Sequence, residues 1–235
     1  MHQVNRLVLG IETSSDFGGV ALANEAGVIA EELTRRKLNH SEELIRLISS
    51  VLKGLQSGLD DLHGVAVSIG PGSFTGLRVG LATAKGLCLS KGLPLLSVPS
   101  LDALASMCPE SSLPIHAVID AKREEVYWSS YRFESGMQTR TGEYLALAPQ
   151  DLVERISEET MLIGSGVDAY RDFIAGNARG LARFMTPNPQ SPSPSVIAIL
   201  GLRKLKASQT EQIESLEPIY IRPSDAEIKE KNGRG

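Results

Sequence analysis

The sequence has few cysteines and no long apolar run, and each shortage excludes a class of protein. Two cysteines in 235 residues, Cys88 and Cys108, are too few for a disulfide framework, which favours a reduced, cytoplasmic setting. The longest apolar runs have about five residues, as in Leu7 to Ile11, whereas a membrane-spanning helix needs about 20. No apolar signal segment follows the start, so we expect neither export nor a membrane anchor.

Positive charge and aromatic side chains are also in short supply. The 24 lysines and arginines are outnumbered by 28 aspartates and glutamates, so this chain is not expected to hold a nucleic-acid backbone by itself. With 42% hydrophobic but only 5% aromatic residues, the core is expected to consist of Leu, Val, Ile, Ala and Gly, which suits layered α/β structure. The length fits one large domain or two lobes of about 100 to 120 residues.

The order of apolar segments predicts an α/β lobe in the first half of the chain. Three strands come first, followed by helix, strand, helix, strand and helix. The first strand, Leu7 to Ile11, ends at an acidic residue. A capping-box pattern at Asn39 starts a helix over residues 39–55, and a second long helix covers residues 75–91.

The pattern of apolar strand, acidic residue and turn occurs twice in the chain. Glu12 follows the first strand, and Asp120 follows the apolar segment Ile115 to Ile119, 108 positions later. Duplication of a lobe would place them about half the chain apart, although chance could also repeat so common a hairpin pattern. We therefore predict two related lobes, residues 1–110 and 111–223, with a polar tail at 224–235.

A glycine-rich segment, GPGSFTG at Gly70 to Gly76, links a predicted strand to the second long helix. Glycines there would let backbone amides approach an anion at the positive end of the helix, with Gly72, Ser73 and Thr75 as candidate phosphate or nucleotide ligands. The spacing matches neither the GxGxxG dinucleotide fingerprint nor the P-loop, because no lysine follows the last glycine. A tight turn with Ser73 or Thr75 as the helix cap explains the segment equally well.

The residue types that carry most enzyme chemistry form no recognised catalytic pattern. Glu12 and Asp120 could face a cleft between the lobes and hold a metal-bound phosphate, or they could be turn acids bonded to nearby amides. The four histidines form no HxxxH or HExxH pair and have no neighbouring cysteine, so no metal site is predicted. No serine lies in a GxSxG nucleophile elbow. We therefore predict no catalytic residue.

The two long helices of the first lobe have wider apolar surfaces than packing on one sheet requires. In the first, the apolar residues cover an arc of roughly 160°, against a stripe of roughly 100°, and the second is apolar nearly all round. Its small residues at steps of four, Gly76, Gly80, Ala84 and Cys88, suit close helix contact. Burial by the other lobe is one explanation; we expect instead that another subunit covers both helices. The expected interface residues are Leu44, Leu47, Ile48, Val51, Leu77, Gly80, Leu81, Ala84, Leu87 and Cys88.

Three segments resemble the TsaB (YeaZ) family, bacterial proteins needed for threonylcarbamoyl modification of adenosine in tRNA. They are LGIETSS near the start, SIGPGSFTGLRVGLATAKGL at Ser68 to Leu87, and DAKREEVYW at Asp120 to Trp128; beyond residue 130 or so the likeness weakens and includes EPIYIRP at Glu217 to Pro223. The resemblance implies the two-lobed actin-like, Hsp70-like ATPase fold. The family usually has Asp where this chain has Glu12, which argues against a loop that organises a metal-bound nucleotide.

The resemblance also implies a role beside a catalytic partner. TsaB looks like an inactive relative of TsaD, which transfers threonylcarbamoyl from its adenylate to adenosine 37 of tRNAs reading codons that begin with A; TsaE joins the assembly. The family contacts TsaD through its first two helices. TsaD-like proteins carry paired metal-binding histidines where this chain has only His40. We therefore expect ATP and metal on the partner subunits, none required by this chain, and indirect contact with tRNA.

The residues and the resemblance leave three functions open. The first is a non-catalytic scaffold for TsaD, in which Leu81→Arg or Ala84→Trp abolishes co-purification while the chain still folds. The second is an ATPase or phosphotransferase of the same fold, using Glu12, Asp120 and the loop Gly70 to Gly76. The third is a metallopeptidase, which the unpaired histidine disfavours. Without its partner, the chain is expected to form a weak symmetric homodimer through the same helices.

Overall fold

A computed structural model describes residues 5–35 and 41–222. Two mixed β-sheets with helices on their faces form two lobes. The first sheet has the order β3-β2-β1-β4-β5, with β1 (Val8–Glu12), β2 (Gly18–Asn24), β3 (Gly27–Thr34), β4 (Gly64–Ser68) and β5 (Leu95–Val98). The second has the order β11-β10-β6-β7-β8, with β9 paired to β7; its strands are β6 (Ile115–Lys122), β7 (Glu125–Glu134), β8 (Met137–Arg140), β9 (Leu145–Leu147), β10 (Thr160–Ile163) and β11 (Ala182–Phe184).

The helices alternate with the strands after each opening hairpin. They are α1 (Ser41–Gly54), α2 (Phe74–Lys91), α3 (Ser100–Ala105), α4 (Pro149–Glu154), α5 (Ser165–Ala169), α6 (Arg171–Asn177) and α7 (Pro194–Lys206). None of the helices within the described ranges is both long and apolar enough to cross a membrane.

The two sheets repeat one strand plan, which confirms the predicted relation between the lobes. In the first, β1 pairs antiparallel with β2 and parallel with β4. In the second, β6 pairs antiparallel with β7 and parallel with β10. The central strand of each sheet therefore begins a hairpin and ends beside the cleft between the lobes.

β1 is buried on both faces because helices cover both sides of its sheet. Leu9 and Ile11 pack with α1 and α2, whereas Val8 packs with α7. At Gly10 a Cβ would contact the backbone of α7, so the glycine allows this helix to lie directly on the strand. A continuous apolar strand, rather than an alternating one, is what burial on both faces requires.

The last helix belongs with the first sheet, although the sequence assigned it to the second lobe. A serine cap followed by proline predicts a helix that starts at Ser193 and Pro194, and α7 begins there, with the Ser193 side chain accepting from the Ser195 amide. It packs on β1, β2 and β4, where Ile197 joins Val8 and Ala66 in one apolar cluster. The domain boundary predicted from chain order is corrected accordingly, because chain order does not state on which sheet a helix packs.

α3 is the converse case, a helix that follows the first sheet in the chain but packs on the second lobe. It follows β5 of the first sheet, but Leu101 and Leu104 pack with Ile115 and Tyr131 of the second lobe. Tyr131 Oη donates to Asp102 Oδ1 (2.8 Å), which ties α3 to β7. Each lobe is therefore packed by one helix that chain order assigns to the other lobe.

Several short elements differ from the prediction. The strands β8, β9 and β11 were not predicted, because each has only three or four residues and little apolar periodicity. The sequence pattern predicts one short helix around residues 168–174, whereas the structure has two helices there, α5 and α6. The pattern also predicts a short extended segment at Ile219 to Ile221; it is not a strand, but the Ile219 amide donates to the Ile69 carbonyl (2.7 Å). The predicted cap Asn39 and tail 224–235 lie outside the described residues.

Candidate functional site

A cleft of about 830 Å³ lies between the two lobes. Its lining includes the β1–β2 turn, the N-terminal end of α2, the C-terminal end of β6, residues of α5 and the segment 219–222. The predicted anion ligands Gly72, Ser73 and Thr75 all line this cleft. The structure therefore brings these candidates together at one edge of the first lobe.

The glycine-rich loop packs closely against the β1–β2 turn. The Ser73 side chain accepts from the Gly76 amide (3.3 Å), so Ser73 is the helix cap, one of the two residues that the sequence allowed. Its own amide donates to the Ser14 carbonyl (2.6 Å). A Cβ at Gly72 would overlap that same carbonyl oxygen, so the glycine is required for this contact whether or not an anion binds.

Glu12 is sealed inside the first lobe. Its side chain is completely buried, and Oε1 accepts from both the amide (2.5 Å) and the hydroxyl (2.6 Å) of Ser14. Its Oε2 has no hydrogen-bond partner among the described residues. Burial raises the pKa of this carboxyl to about 7, and the bonds from Ser14 only partly offset it. Glu12 is thus a turn acid that does not line the cleft.

Asp120 lies in the cleft and is held by its own turn. Oδ2 pairs with Lys122 Nζ (2.6 Å), and Oδ1 accepts from the Lys122 amide (2.9 Å). The Asp120 amide donates to Ser165 Oγ (3.1 Å). The carboxylates of Glu12 and Asp120 therefore each accept hydrogen bonds from a residue two positions later in the chain. This is the turn-acid interpretation, the second of the two that the sequence left open.

The C-terminal segment connects both lobes across the cleft. The Tyr220 ring packs 4.8 Å from the Phe74 ring at the start of α2. Two positions later, Arg222 Nη2 donates to the Ala121 carbonyl (2.9 Å), and Nη1 pairs with Glu125. These contacts join positions about a hundred residues or more apart, so no local pattern could have predicted them. All four of the segments that carry the family resemblance have residues in the lining of the cleft.

A second concave surface lies between α1 and α2, on the far side of these helices from the first sheet. This groove, of about 900 Å³, is lined by Ser41, Glu42, Ile45, Arg78, Val79, Ala82, Thr83, Gly86 and Leu87. Ile45 is 52% exposed, and Leu89, three positions beyond Gly86 on α2, is 64% exposed. The lining is mostly apolar or small, with Glu42 and Arg78 as its charged members. We call this surface the α1–α2 groove.

The histidines that the structure describes lie in separate places and have structural contacts. The parts of the chain that the structure describes contain no group of three His, Cys, Asp or Glu residues placed to hold a metal ion. His63 Nδ1 accepts from the Leu7 amide, and His116 packs edge-on against Trp128, with ring centres 5.2 Å apart. Burial, with a smaller effect of Arg155, lowers the pKa of His116 to about 4. His40 lies outside the described residues.

Comparison with known proteins identifies the family. A family model described as "TsaD: tRNA N6-adenosine threonylcarbamoyltransferase" matches residues 21–230. The "tRNA threonylcarbamoyladenosine biosynthesis protein TsaB" of Bacillus subtilis is 31% identical over 226 residues, which covers 94% of this chain and 96% of that protein. The Escherichia coli protein of the same name is 30% identical over 222 residues, covering 92% and 94%. The chain belongs to the TsaB family.

Solved structures confirm the two-lobed actin-like fold that the resemblance predicted. YeaZ from Pseudomonas aeruginosa superposes with a TM-score of 0.77 at 23% identity and covers 92% of this chain and 99% of that chain. The activator of the 2-hydroxyisocaproyl-CoA dehydratase from Clostridium difficile, with bound ADPNP, superposes with a TM-score of 0.50 at 9% identity, covering 91% and 99%. At these identities the likeness concerns the fold alone.

Most of the interface residues predicted for this TsaB-family chain face its own core. Eight of the ten are buried beneath α1 and α2: Leu44, Ile48, Val51, Leu77, Gly80, Leu81, Ala84 and Cys88. Leu47 and Leu87 are half-buried, and of all ten only Leu87 lines the groove. The residues available to a partner on these helices are therefore mainly others, such as Ile45, Ala82 and Leu89.

The row of small residues on α2 faces inward for a specific reason. A Cβ at Gly76 would overlap the Thr13 carbonyl oxygen, and one at Gly80 would overlap the Thr13 hydroxyl. The row therefore allows α2 to approach the end of β1, not a helix of another subunit. Periodicity identified which residues share a face of α2, but not what that face contacts.

Proposed function

We propose that this chain is a non-catalytic scaffold subunit required for tRNA N6-threonylcarbamoyladenosine formation. It pairs with TsaD and activates it as TsaD transfers threonylcarbamoyl from threonylcarbamoyl-AMP to adenosine 37 of tRNAs reading codons that begin with A. TsaE joins the larger complex, and tRNA contacts this chain only indirectly. The names of the curated relatives support this pathway. The α1–α2 groove is the observation that carries the docking role.

The groove has the composition of a docking surface. Ile45 and Leu89 are each more than half exposed, and burying such a side chain contributes about 1.5 to 3 kcal/mol. Ile45 lines the groove together with Ala82 and Gly86, and Leu89 follows on α2; a Cβ at Gly86 would meet nothing within 4 Å, so there is room at this position. Charged groups stand beside this apolar centre, an arrangement typical of protein–protein interfaces. We infer that an apolar side chain or helix of TsaD seats there.

The hydrogen bonding and burial of Glu12 and Asp120 support a scaffold role rather than an enzymatic one. Glu12 is buried and bonded to Ser14, so its carboxyl does not reach the cleft. The Asp120 carboxylate forms an ion pair with the Lys122 ammonium group (2.6 Å). The Tyr220 ring also packs on Phe74, the first residue of α2, and occupies part of the same cleft. An ATPase remains the second candidate because the cleft itself has the volume of a ligand site.

One reconstitution tests the proposal. The chain is mixed with TsaD and TsaE of its own organism, and modified tRNA is measured with and without it. We expect modification to depend on this chain, while the isolated chain does not hydrolyse ATP. Modification that proceeds equally without the chain contradicts the scaffold role, and ATP hydrolysis by the chain that Asp120→Ala abolishes favours the ATPase.

Without TsaD, the groove is expected to contact its own copy. An exposed apolar surface related by a two-fold axis gives an isologous contact, and we propose that it yields a weak homodimer. Sedimentation over a range of concentrations tests this, and a monomer at the highest concentration contradicts it.

A further inference from the structure

We propose that residues 211–222 form a strap that holds the two lobes at a fixed angle, with Arg222 as its anchor on the second lobe. The strap follows α7 and runs along the first lobe before it reaches the cleft.

The strap is bonded to the first lobe along most of its length. The Glu211 amide donates to the Leu95 carbonyl (2.9 Å) of β5, and Ser97 Oγ donates to Glu211 Oε1 (2.5 Å). Farther along, the Ile219 amide donates to the Ile69 carbonyl (2.7 Å) just after β4. Three half-buried apolar side chains pack against the core of the first lobe: Ile213, Leu216 and Ile219. This part of the strap is thus an integral piece of the first lobe.

At the cleft the strap passes from one lobe to the other within two residues. Tyr220 packs on Phe74 and accepts from Arg78 Nε (3.2 Å), both on α2 of the first lobe. The Arg222 guanidinium bonds to Ala121 and Glu125, on either side of the β6–β7 turn of the second lobe. Two residues of extended chain span at most about 7 Å. The lobes therefore cannot separate appreciably here unless the Tyr220 or the Arg222 contacts break.

Arg222 bonds to the second lobe on both sides of the β6–β7 turn. Nη2 donates to the Ala121 carbonyl before the turn, and Nη1 pairs with Glu125 after it. The Arg222 side chain is 20% exposed, so this two-point contact is partly shielded from solvent. A planar guanidinium suits such a fork, and lysine would keep only one of the two bonds.

The β6–β7 turn has a backbone conformation that is unfavourable for its residues and depends on contacts from outside the turn. Lys122, Arg123 and Glu124 have φ values of 62°, 54° and 61°, and none of them is glycine. Non-glycine residues are disfavoured in this left-handed region, and they persist where surrounding contacts hold them. Arg222 supplies such contacts at both ends of the turn. Loss of the anchor should thus loosen the turn and free the lobe angle together.

A distance measurement between the lobes tests the strap directly. Spin labels are placed at exposed positions by Lys53→Cys in the first lobe and Thr139→Cys in the second. The native Cys88 and Cys108 are buried, and burial raises their pKa values to about 12 and about 11, so they should not compete for the label. We expect one narrow distance distribution in the parent chain and a broader, shifted one in Arg222→Ala. The same narrow distribution in both overturns the proposal.

Hydrogen exchange distinguishes release of the strap from general destabilisation. In Arg222→Ala, the Ile219 amide should exchange at least about tenfold faster, while amides of β1 and β4 keep their rates. Arg222→Lys should give an intermediate rate. The control Arg132→Ala removes an exposed ion pair with Glu158 inside the second lobe and should change neither measurement. Equal acceleration at Ile219 and in β1 overturns the proposal, because Arg222 would then contribute only to overall stability.

Discussion

Arg78 Nε donates a hydrogen bond to Tyr220 Oη over 3.2 Å, although the two residues are 142 positions apart. The same guanidinium lies 3.8 Å from the centre of the Phe74 ring. Arg78 lines the α1–α2 groove, and Tyr220 lines the interlobe cleft. One side chain therefore joins the proposed docking surface to the strap, so a partner in the groove would contact the residue that holds Tyr220 in place.

The groove variants should separate docking from folding. Ile45→Arg and Ala82→Arg place a charge on the exposed apolar surface, so we expect loss of co-purification with TsaD and little change in melting temperature. The control Leu33→Arg changes a side chain on β3 that is 65% exposed and lies outside the groove, and it should bind normally. Normal binding by both groove variants would contradict the docking surface.

Leu81→Arg and Ala84→Trp, which the sequence suggested, are not suitable tests of docking. Leu81 and Ala84 are 5% and 0% exposed within the core of the first lobe. A buried unpaired charge or an overpacked core destabilises by several kcal/mol, so both variants should fail to fold. Circular dichroism of the purified variants checks this, and a native melting curve for either would contradict the packing described for α2.

Two glycines on α2 should respond oppositely to alanine. Gly76→Ala drives a methyl group into the Thr13 carbonyl, a backbone atom that cannot move aside, and should lower the free energy of unfolding by about 2 kcal/mol or more. Gly86→Ala meets open space in a helix interior and should raise it by up to about 1 kcal/mol. Urea unfolding of both variants makes the comparison, and equal effects would refute the close approach of α2 to β1.

Glu12 should make the protein less stable as the pH rises. The carboxyl has a pKa near 4.5 in the unfolded chain and about 7 in the folded one. Below pH 4.5 both states hold the proton; between pH 4.5 and 7 the unfolded state releases it first, which costs up to roughly 3 kcal/mol of stability. Glu12→Gln keeps an oxygen for Ser14 and should reduce this loss.

Unfolding free energies at pH 5 and pH 8 measure the Glu12 effect. The parent chain should lose more stability between these values than Glu12→Gln does. Glu110→Gln, at an exposed glutamate, serves as the control and should follow the parent. A parent-like pH dependence in Glu12→Gln would show that the buried carboxyl does not titrate in this range.

His116 should make the protein less stable as the pH falls, the opposite of the Glu12 effect. Its pKa is about 4 in the folded chain against 6.5 in the unfolded one, so the unfolded state takes up a proton first as the pH falls. The stability present above pH 6.5 should therefore be lost between pH 6.5 and 4. His116→Phe should flatten that part of the unfolding profile. A steep acid limb that persists in the variant would assign the effect to other groups.

Local sequence patterns were sufficient where local forces decide the structure. Ser73 caps α2, and Ser193 with Pro194 starts α7, because capping depends on atoms three or fewer residues away. The strand β11 was missed because its three residues gain their conformation from parallel pairing with β10, not from their own periodicity. The cleft candidates Gly72, Ser73 and Thr75 were found, whereas Arg222 was not, because its partners are about a hundred residues away.

The sequence by itself determined the family, the repeated strand plan and the positions of the long helices along the chain, since these follow from motifs, apolar periodicity and caps that lie within short stretches of chain. Only the tertiary structure decided that the small row of α2 faces Thr13, that α7 packs on the first sheet, and that Tyr220 and Arg222 join the lobes. A helix with apolar residues on several sides can bury any of them. The choice depends on which strands and turns the rest of the chain brings beside it.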